Sequence, residues 1–243
     1  MILVIDVGNT LIKTAVFEDN RLLYKNKILY ENWGNNIKIL LIDYPAICTI
    51  VVASVGKLEK ESFEKIGTNI KIYFISHLSK FPFQNLYATP ETLGIDRMVL
   101  ATGAVLTFPQ KNRLVIDVGT CITYDYISEE NQYLGGAISP GIRLRYESLH
   151  NFTSKLPLLT KSIPKKNIGN STNESIHSGI INGICHEIDG FTNQFSLENE
   201  NFIIILTGGD AEFLANRLKN PIFANSNFLL ESLYQTYQFN QND

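Results

Sequence analysis

The hexapeptide Leu-Val-Ile-Asp-Val-Gly stands at residues 3–8 and stands again, unchanged, at residues 114–119. In both copies a run of apolar and β-branched residues, typical of a buried strand, reaches an aspartate and then a glycine. A second apolar run follows each copy, and a polar turn, at residues 18–20 and 129–131, leads to a third run. A chance recurrence of one strand motif would leave these matching turn positions unexplained. The chain therefore contains an internal repeat, and each half is predicted to begin with a three-stranded meander.

The sequence after each meander alternates between helical and strand patterns. In the first half it predicts helices at 34–43, 57–66 and 94–107, with strands at 48–54 and 70–75. In the second half it predicts helices at 141–152, 173–195, 210–219 and 228–238, with a strand at 202–207. Each half thus reads βββαβα with additional helices, which predicts an α/β fold of two repeated halves. A polar, proline-containing break at 108–113 favours domains at residues 1–110 and 111–243.

Composition and charge exclude several classes of protein. Apolar residues make up 44% and charged residues 19% of the 243 residues, and the formal net charge is −3. Without a basic excess we expect no nucleic-acid partner, and without an apolar run of about 18 residues we expect no membrane span. The three cysteines are widely spaced, which favours a reducing compartment, and no signal-peptide pattern precedes the first strand. We therefore expect a cytoplasmic protein.

The first Asp-Gly turn has the residue types of a phosphate-binding turn. Asp6 ends a buried strand, where a carboxylate is costly unless a cation or a hydrogen-bond donor meets it. Gly8 permits close backbone approach, so N–H groups can surround phosphate oxygens, and Lys13 can bring a point charge to a terminal phosphate. Asp6 is also suited to a hydrated Mg²⁺, because this ion keeps its waters and takes few carboxylates. Taken alone, the turn is equally compatible with a plain hairpin.

Two further elements extend this pattern. Asp117-Val118-Gly119-Thr120 repeats the first turn in the second half. Two such turns from repeated halves are expected to face each other across an interdomain nucleotide cleft. The stretch Leu206-Thr207-Gly208-Gly209-Asp210 runs from a strand into two glycines and a helix, which lets a flat ligand pack against the backbone. Alone, that stretch indicates no more than a β–α turn.

Together these elements resemble the actin/hexokinase-like ATPase superfamily, with its ribonuclease H-like halves, and most closely its type III pantothenate kinases. The resemblance covers nearly the whole chain. The motifs that carry it, in order, are Asp6-Val7-Gly8-Asn9-Thr10-Leu11-Ile12-Lys13, Pro90-Glu91-Thr92-Leu93-Gly94-Ile95-Asp96-Arg97, Asp117 to Thr123, Tyr133 to Gly141, Thr153 to Pro157 and Gly169-Asn170-Ser171-Thr172. Val118, where the family often has a bulkier apolar residue, is a small departure.

The resemblance implies a specific set of ligands and roles. ATP would be the phosphate donor, accompanied by Mg²⁺, and pantothenate would be the acceptor. Asp96 would be the catalytic base, Asp117 would hold K⁺ or NH₄⁺, and the protein would be a homodimer. The predicted ATP-binding residues are Asp6, Val7, Gly8, Asn9, Thr10, Leu11, Ile12, Lys13 and Thr120. The predicted pantothenate-binding residues are Tyr87, Gly94, Ile95, Asp96, Arg97 and Thr172.

The residue types agree with these roles. Phosphorylation of an alcohol requires a base at the hydroxyl group and cations around the γ-phosphate. Asp96 lies at the predicted start of a helix, where a carboxylate is favoured, and Arg97 has the planar fork that binds a carboxylate. Without the resemblance, these two residues would be a helix-start aspartate beside a surface arginine. In the same way, Tyr87 would be a half-buried loop aromatic and Thr172 a helix N-cap.

The predicted reaction is transfer of the ATP γ-phosphate to the primary alcohol of pantothenate. The product, 4′-phosphopantothenate, stands at the entry to coenzyme A synthesis. Two alternatives remain open from the sequence. A phosphohydrolase of the same superfold would need a base aimed at water, and no spare carboxylate matches that role as well as Asp96. A non-catalytic nucleotide-binding protein would not require Asp6, Lys13, Asp96 and Asp117 together.

Overall fold

The structure, a computed structural model, describes residues 1–54, 58, 60–64, 66 and 70–241. The chain forms two compact units. The first unit contains residues 1–109, 131–133 and 227–243, and the second contains residues 110–130 and 134–226. The two predicted halves, 1–110 and 111–243, describe the sequence repeat, and as domains they stay a prediction.

A five-stranded sheet with the order β3-β2-β1-β4-β5 forms the centre of the first unit. Its strands are β1 (Ile2–Val7), β2 (Ile12–Glu18), β3 (Arg21–Ile28), β4 (Thr49–Ser54) and β5 (Lys71–Phe74). The first three strands form the predicted antiparallel meander, β4 runs parallel to β1, and β5 runs parallel to β4. Because β1 and β4 are central and buried on both faces, their sequences are almost wholly apolar.

Three helices of the first unit follow the predicted pattern. Helix α1 (Trp33–Asp43) buries Ile37 and Leu40 in one cluster with the strand residues Ile5 and Val52. Helix α2 spans Lys60–Glu64, and residues 57, 59 and 65 of the predicted helix 57–66 lie outside the described residues. Helix α3 (Ile95–Thr107) is buried from Ile95 to Val105 apart from Asp96, which explains why its sequence is apolar on almost every side.

The sequence pattern did not predict one short strand of the first unit. Strand β6 (Gln84–Asn85) pairs in parallel with Gln132 and Tyr133. Two residues are too few to show an alternating pattern, so nothing in the local sequence indicates this pairing. It places Tyr87, two residues after the strand, within ring contact of Tyr133, with the ring centroids 6.1 Å apart.

The sheet of the second unit repeats the same topology. It contains β7 (Asn112–Val118), β8 (Cys121–Ile127), β9 (Gln132–Pro140), β10 (Phe202–Thr207) and β11 (Phe223–Ala224), in the order β11-β10-β7-β8-β9. β7 and β8 are antiparallel, β10 is parallel to β7, and β11 is parallel to β10. β7 therefore corresponds to β1, and β10 corresponds to β4, which confirms the repeat.

The helices of the second unit depart from prediction at two places. They are α4 (Ile142–Asn151), α5 (Thr172–His177), α6 (Gly183–Glu198) and α7 (Ala211–Ala215). The predicted helix 173–195 is interrupted by a π turn at Ser178–Asn182, between α5 and α6. The predicted helix 210–219 ends early, at Ala215. Ile180 and Ile181 of the π turn and Ile184 of α6 pack into the main apolar cluster of the unit.

The last helix, α8 (Phe228–Phe239), belongs to the first unit and packs on α3. A Cβ at Gly103 of α3 would overlap the Ser232 hydroxyl and lie 2.6 Å from the Ser232 Cβ, so glycine sets the close approach of the two helices. Tyr234 stacks on Phe17 of β2 with ring centroids 4.6 Å apart. The helix thus completes the core of the unit in which the chain begins.

The predicted fold class is confirmed. The protein is an α/β protein built from two sheets of the same topology, with helices packed against them. In the part of the chain that the structure describes, no helix has both the length and the apolar composition needed to cross a bilayer.

Candidate active site

The first Asp-Gly turn connects β1 to β2 and is closed by backbone and side-chain contacts. The Gly8 N–H donates to the Leu11 carbonyl at 3.2 Å, and the Tyr30 hydroxyl donates to the Gly8 carbonyl. Across this hairpin Asp6 lies directly opposite Lys13, whose Nζ is 3.3 Å from the Asp6 Oδ2. The other residues of the predicted phosphate turn lie on the same hairpin, with Asn9 and Thr10 exposed at its tip and Val7 and Ile12 buried in its strands.

Asp6 is a buried carboxylate whose environment includes a second carboxylate. Only 3% of the residue is exposed. Burial raises the pKa of Asp6, the Lys13 ammonium opposes this shift, and the negative charge of Asp96 raises the pKa further. The two carboxylates are therefore near enough to repel each other, and the first unit brings Asp6, Lys13 and Asp96 into one electrostatic site.

The predicted catalytic aspartate occupies the first turn of α3. The Asp96 Oδ1 accepts a hydrogen bond from the Arg97 backbone N–H at 2.8 Å, which fixes the carboxylate at the helix start. Gly94 precedes the helix, and a Cβ at this position would overlap that same Oδ1. Its φ of −57° is open to any residue, so Gly94 is needed for space and not for backbone conformation.

Arg97 is not a surface arginine. The residue is 6% exposed, and its guanidinium carbon lies 5.8 Å from the centroid of the half-buried Tyr87 ring. The Tyr87 backbone N–H donates to the Asn85 Oδ1 at 3.0 Å, which holds the loop that presents this ring. The first unit therefore places Tyr87 and Arg97 beside each other, with Asp96 adjacent and Ile95 buried at the helix start.

The second Asp-Gly turn connects β7 to β8 in the second unit. Asp117 lies opposite Thr123 of β8 and Thr207 of β10, and the Gly119 N–H donates to the Cys121 carbonyl at 2.9 Å. Thr120 is exposed at the turn. Asp117 is the next-to-last residue of β7, as Asp6 is of β1, so the two turns carry their carboxylates at matching strand positions.

Gly208 is tightly fitted against the second turn. Its φ is +102°, and a Cβ would overlap the Asp117 Oδ1 and lie 2.5 Å from the Val118 carbonyl oxygen. The sequence pattern associates Gly208 and Gly209 with a flat ligand, and the structure places Gly208 against Asp117 as well. The strand-Gly-Gly pattern was the available signal, but it does not indicate which neighbour the glycine accommodates.

Thr172 begins α5 and lines an open cavity of about 690 Å³ in the second unit, together with Ser171, Ser175, Ile176 and Leu149. The alternative that Thr172 caps the helix is wrong. Ser171 is the N-cap, because its Oγ accepts the Glu174 backbone N–H at 3.3 Å. The Thr172 side chain is therefore not required for capping.

The carboxylates of these turns do not form a multidentate metal site. Among the described residues, no group of three or more His, Cys, Asp or Glu side chains could hold a metal ion. Asp6 and Asp117 belong to separate units, and each is presented by a glycine-containing turn. Such single carboxylates fit ions that take most of their ligands from phosphate oxygens, waters and backbone carbonyls.

Solved structures define the class to which this fold belongs. The chain is similar to a conserved protein from Campylobacter jejuni named for the Baf family of transcriptional activators, with a TM-score of 0.63 and 21% identity over 99% of this chain and 100% of that one. It is also similar in fold to a glucokinase from an Antarctic psychrotroph, with a TM-score of 0.52 and 11% identity over 100% and 99% of the two chains. The chain therefore shares its fold class with these two proteins.

Sequence comparison narrows the class to one family. The family model of type III pantothenate kinase matches residues 2–194. A type III pantothenate kinase of Flavobacterium johnsoniae is 59% identical over 239 residues, which cover 98% of each chain. The chain belongs to the type III pantothenate kinase family, as its motifs predicted.

Proposed function

We propose that the protein transfers the γ-phosphate of ATP to the primary alcohol of pantothenate and so makes 4′-phosphopantothenate for coenzyme A synthesis. Family membership supports the reaction and its class, a phosphotransferase with an alcohol as acceptor. The structural observation that carries it is the Asp96 carboxylate, held at a helix start within electrostatic reach of the Asp6–Lys13 pair. A base thus stands beside the residues suited to a terminal phosphate.

Asp96 acts as the general base in this proposal. It takes the proton of the pantothenate hydroxyl as the alcohol oxygen bonds to the γ-phosphorus, and the bond from that phosphorus to the leaving oxygen of ADP breaks. Arg97 binds the pantothenate carboxylate with its planar fork, and Tyr87 restrains the guanidinium. Gly94, Ile95 and Thr172 complete the proposed pantothenate contacts.

The nucleotide binds to the two Asp-Gly turns. Residues 6–13 supply backbone N–H groups and the Lys13 ammonium to the phosphates, and Thr120 supplies a hydroxyl group. In this proposal Asp6 would hold Mg²⁺, and the ion would shield the phosphate charge of the bound ATP. The buried Asp6 carboxylate, with the Lys13 ammonium 3.3 Å away, supports this assignment.

Asp117 is the proposed ligand of K⁺ or NH₄⁺. The tight fit of Gly208 against the Asp117 Oδ1 and the Val118 carbonyl supports the proposal, because a side chain there would fill the space beside these oxygens. We expect activity in potassium or ammonium salts and little activity in sodium alone. Equal rates in all three salts at constant ionic strength would count against a specific site.

Two features of the proposed enzyme concern its state in the cell. We propose a homodimer that works in the cytoplasm, where ATP and pantothenate are available. Light scattering at micromolar concentration should give twice the mass of one chain, and a mass equal to that of one chain would contradict the dimer.

Fractionation of cells that make the protein tests the location.

A coupled assay of ADP formation tests the function. With ATP, Mg²⁺ and K⁺ present, ADP should form only on addition of pantothenate, and mass spectrometry should show phosphopantothenate in equal amount. ADP formation that is independent of pantothenate would favour the phosphohydrolase alternative. Binding of ATP without turnover would favour the non-catalytic alternative.

A further inference from the structure

Glu187 is the centre of a polar network that the proposed reaction does not use. This side chain lies on α6 and accepts hydrogen bonds from the Tyr124 hydroxyl at 2.8 Å, the Ser139 hydroxyl at 2.5 Å and the Arg145 guanidinium at 2.5 Å. The three donors come from β8, β9 and α4. Burial alone would raise the pKa of Glu187, but the hydrogen bonds from Arg145, Ser139 and Tyr124 outweigh it and hold the pKa below its usual value.

Two structural connections join the Glu187 network to the turn that carries Thr120. Arg145 also donates to the Pro140 carbonyl at 2.8 Å, so Glu187 fixes both ends of the short segment 139–145. Within that segment the Gly141 N–H donates to the Thr120 carbonyl at 3.0 Å. The second connection is β8 itself, which begins at Cys121, directly after the turn, and carries Tyr124.

Gly141 packs closely against the turn. A Cβ at Gly141 would overlap the Gly119 carbonyl oxygen and lie 2.5 Å from the Thr120 carbonyl oxygen. Any displacement of residues 139–141 towards the turn therefore moves Gly119 and Thr120 as well. Displacement away from the turn breaks the hydrogen bond from Gly141 to Thr120.

We infer that Glu187 is a positioning residue for the nucleotide-binding turn Asp117–Thr120, acting through Arg145 and Ser139 on Gly141 and through Tyr124 on β8. The inference rests on the proposed role of Thr120 in binding ATP. Glu187 is not among the residues proposed to bind ATP or pantothenate. Loss of the Glu187 carboxylate should weaken ATP binding and K⁺ activation, while pantothenate binding, which is proposed to involve mainly residues of the first unit, should change little.

Glu187→Gln tests the inference, because it keeps the size of the side chain and removes its charge. We expect the Kd for ATP, measured by calorimetry without pantothenate, and the K⁺ concentration for half-maximal activity to rise by about tenfold, the effect of weakening one charge-assisted hydrogen bond. The KM for pantothenate should stay within about twofold. Ser139→Ala removes one donor and should shift the same two constants by less.

The surface pair Arg143 and Glu147 provides a matched control. It lies on α4, with Nε to Oε1 at 2.7 Å, and joins two residues one turn apart on that helix. Arg143→Gln with Glu147→Gln should leave the ATP and K⁺ constants unchanged. A thermal destabilisation by Glu187→Gln or Ser139→Ala with an unchanged Kd for ATP would reduce Glu187 to a structural residue and overturn the inference. Since the Kd does not depend on turnover, this outcome is distinct from failure of the proposed kinase reaction.

Discussion

Asp6 and Lys13 lie directly opposite each other on antiparallel strands, and the Lys13 ammonium nitrogen is 3.3 Å from a carboxylate oxygen that is almost wholly buried. The lysine proposed to meet a terminal phosphate therefore also neutralises the aspartate proposed to hold Mg²⁺. A carboxylate in this position is costly without a cation, so the pair has a structural role and a functional role that experiments can separate.

Lys13→Met should affect both roles. Asp6 would be left buried beside Asp96 without its cation, and we expect the free energy of unfolding to fall by about 1–3 kcal/mol. The KM for ATP should rise by roughly tenfold or more, because a point charge at the phosphates is lost. Urea denaturation and steady-state kinetics measure the two effects.

The double variant Asp6→Asn with Lys13→Met is the control for this separation. It removes both charges, so most of the lost stability should return while the activity stays low. If activity returned with stability, neither Asp6 nor Lys13 would be needed for catalysis, and the pair would serve the fold alone.

Gly94→Ala should displace the catalytic base. The added methyl group would overlap the Asp96 Oδ1, so the carboxylate must rotate and give up its hydrogen bond to the Arg97 N–H. We expect kcat to fall by roughly 10–100-fold, part of the contribution of a general base, with an unchanged KM for ATP. Gly34→Ala in α1 is the control, because a Cβ there has no neighbour within 4 Å. Equal kinetics for both variants would show that Gly94 does not position Asp96.

Gly103→Ala tests the packing of α8 on α3. The methyl group would overlap Ser232, and overpacking of this kind costs about 1–3 kcal/mol of unfolding free energy. Adding Ser232→Gly removes the overlapping atoms, and although a helical glycine itself costs about 1 kcal/mol, the two changes should be much less than additive. A fully additive double-mutant cycle would contradict the contact.

Stability should depend on pH through Glu187. Its pKa is lower in the folded protein than the ordinary value of 4.5, so the ionised form contributes stability above that value, and the contribution is lost as the pH falls through the folded pKa. The urea midpoint of Glu187→Gln should therefore lie below that of the natural protein at pH 7. The two midpoints should converge as the pH is lowered below 4.5. A difference that stays constant over this range would mean that the charge of Glu187 contributes nothing.

The local sequence predicted the features that depend on short patterns. The repeated hexapeptide located β1 and β7, and with them Asp6 and Asp117 at matching strand positions, because buried strands and Asp-Gly turns leave a signal within a few residues. The helix at 94–107 and the strand at 202–207 were likewise close to the observed α3 and β10. Their apolar runs are long enough to establish a period.

Features that depend on distant neighbours left no such signal. The sequence of 173–195 reads as one helix, and the π turn at Ser178–Asn182 is fixed by contacts such as those of Ser178 with the Asn167 carbonyl and of Asn182 with Arg217. The return of α8 to the first unit and the network of Glu187 also join residues far apart in the chain. A single sequence does not encode such pairings in any local pattern.

The central claim is that Asp96 takes the proton of the pantothenate alcohol, and Asp96→Asn tests it most directly. The amide keeps the size and polarity of the side chain but removes the base. The measurement is kcat for pantothenate-dependent ADP formation, together with the Kd values for ATP and pantothenate by calorimetry. We predict that kcat falls by roughly 10²–10⁴-fold while both Kd values stay near those of the natural protein. An unchanged kcat would make Asp96 a structural helix-start residue and would contradict the mechanism.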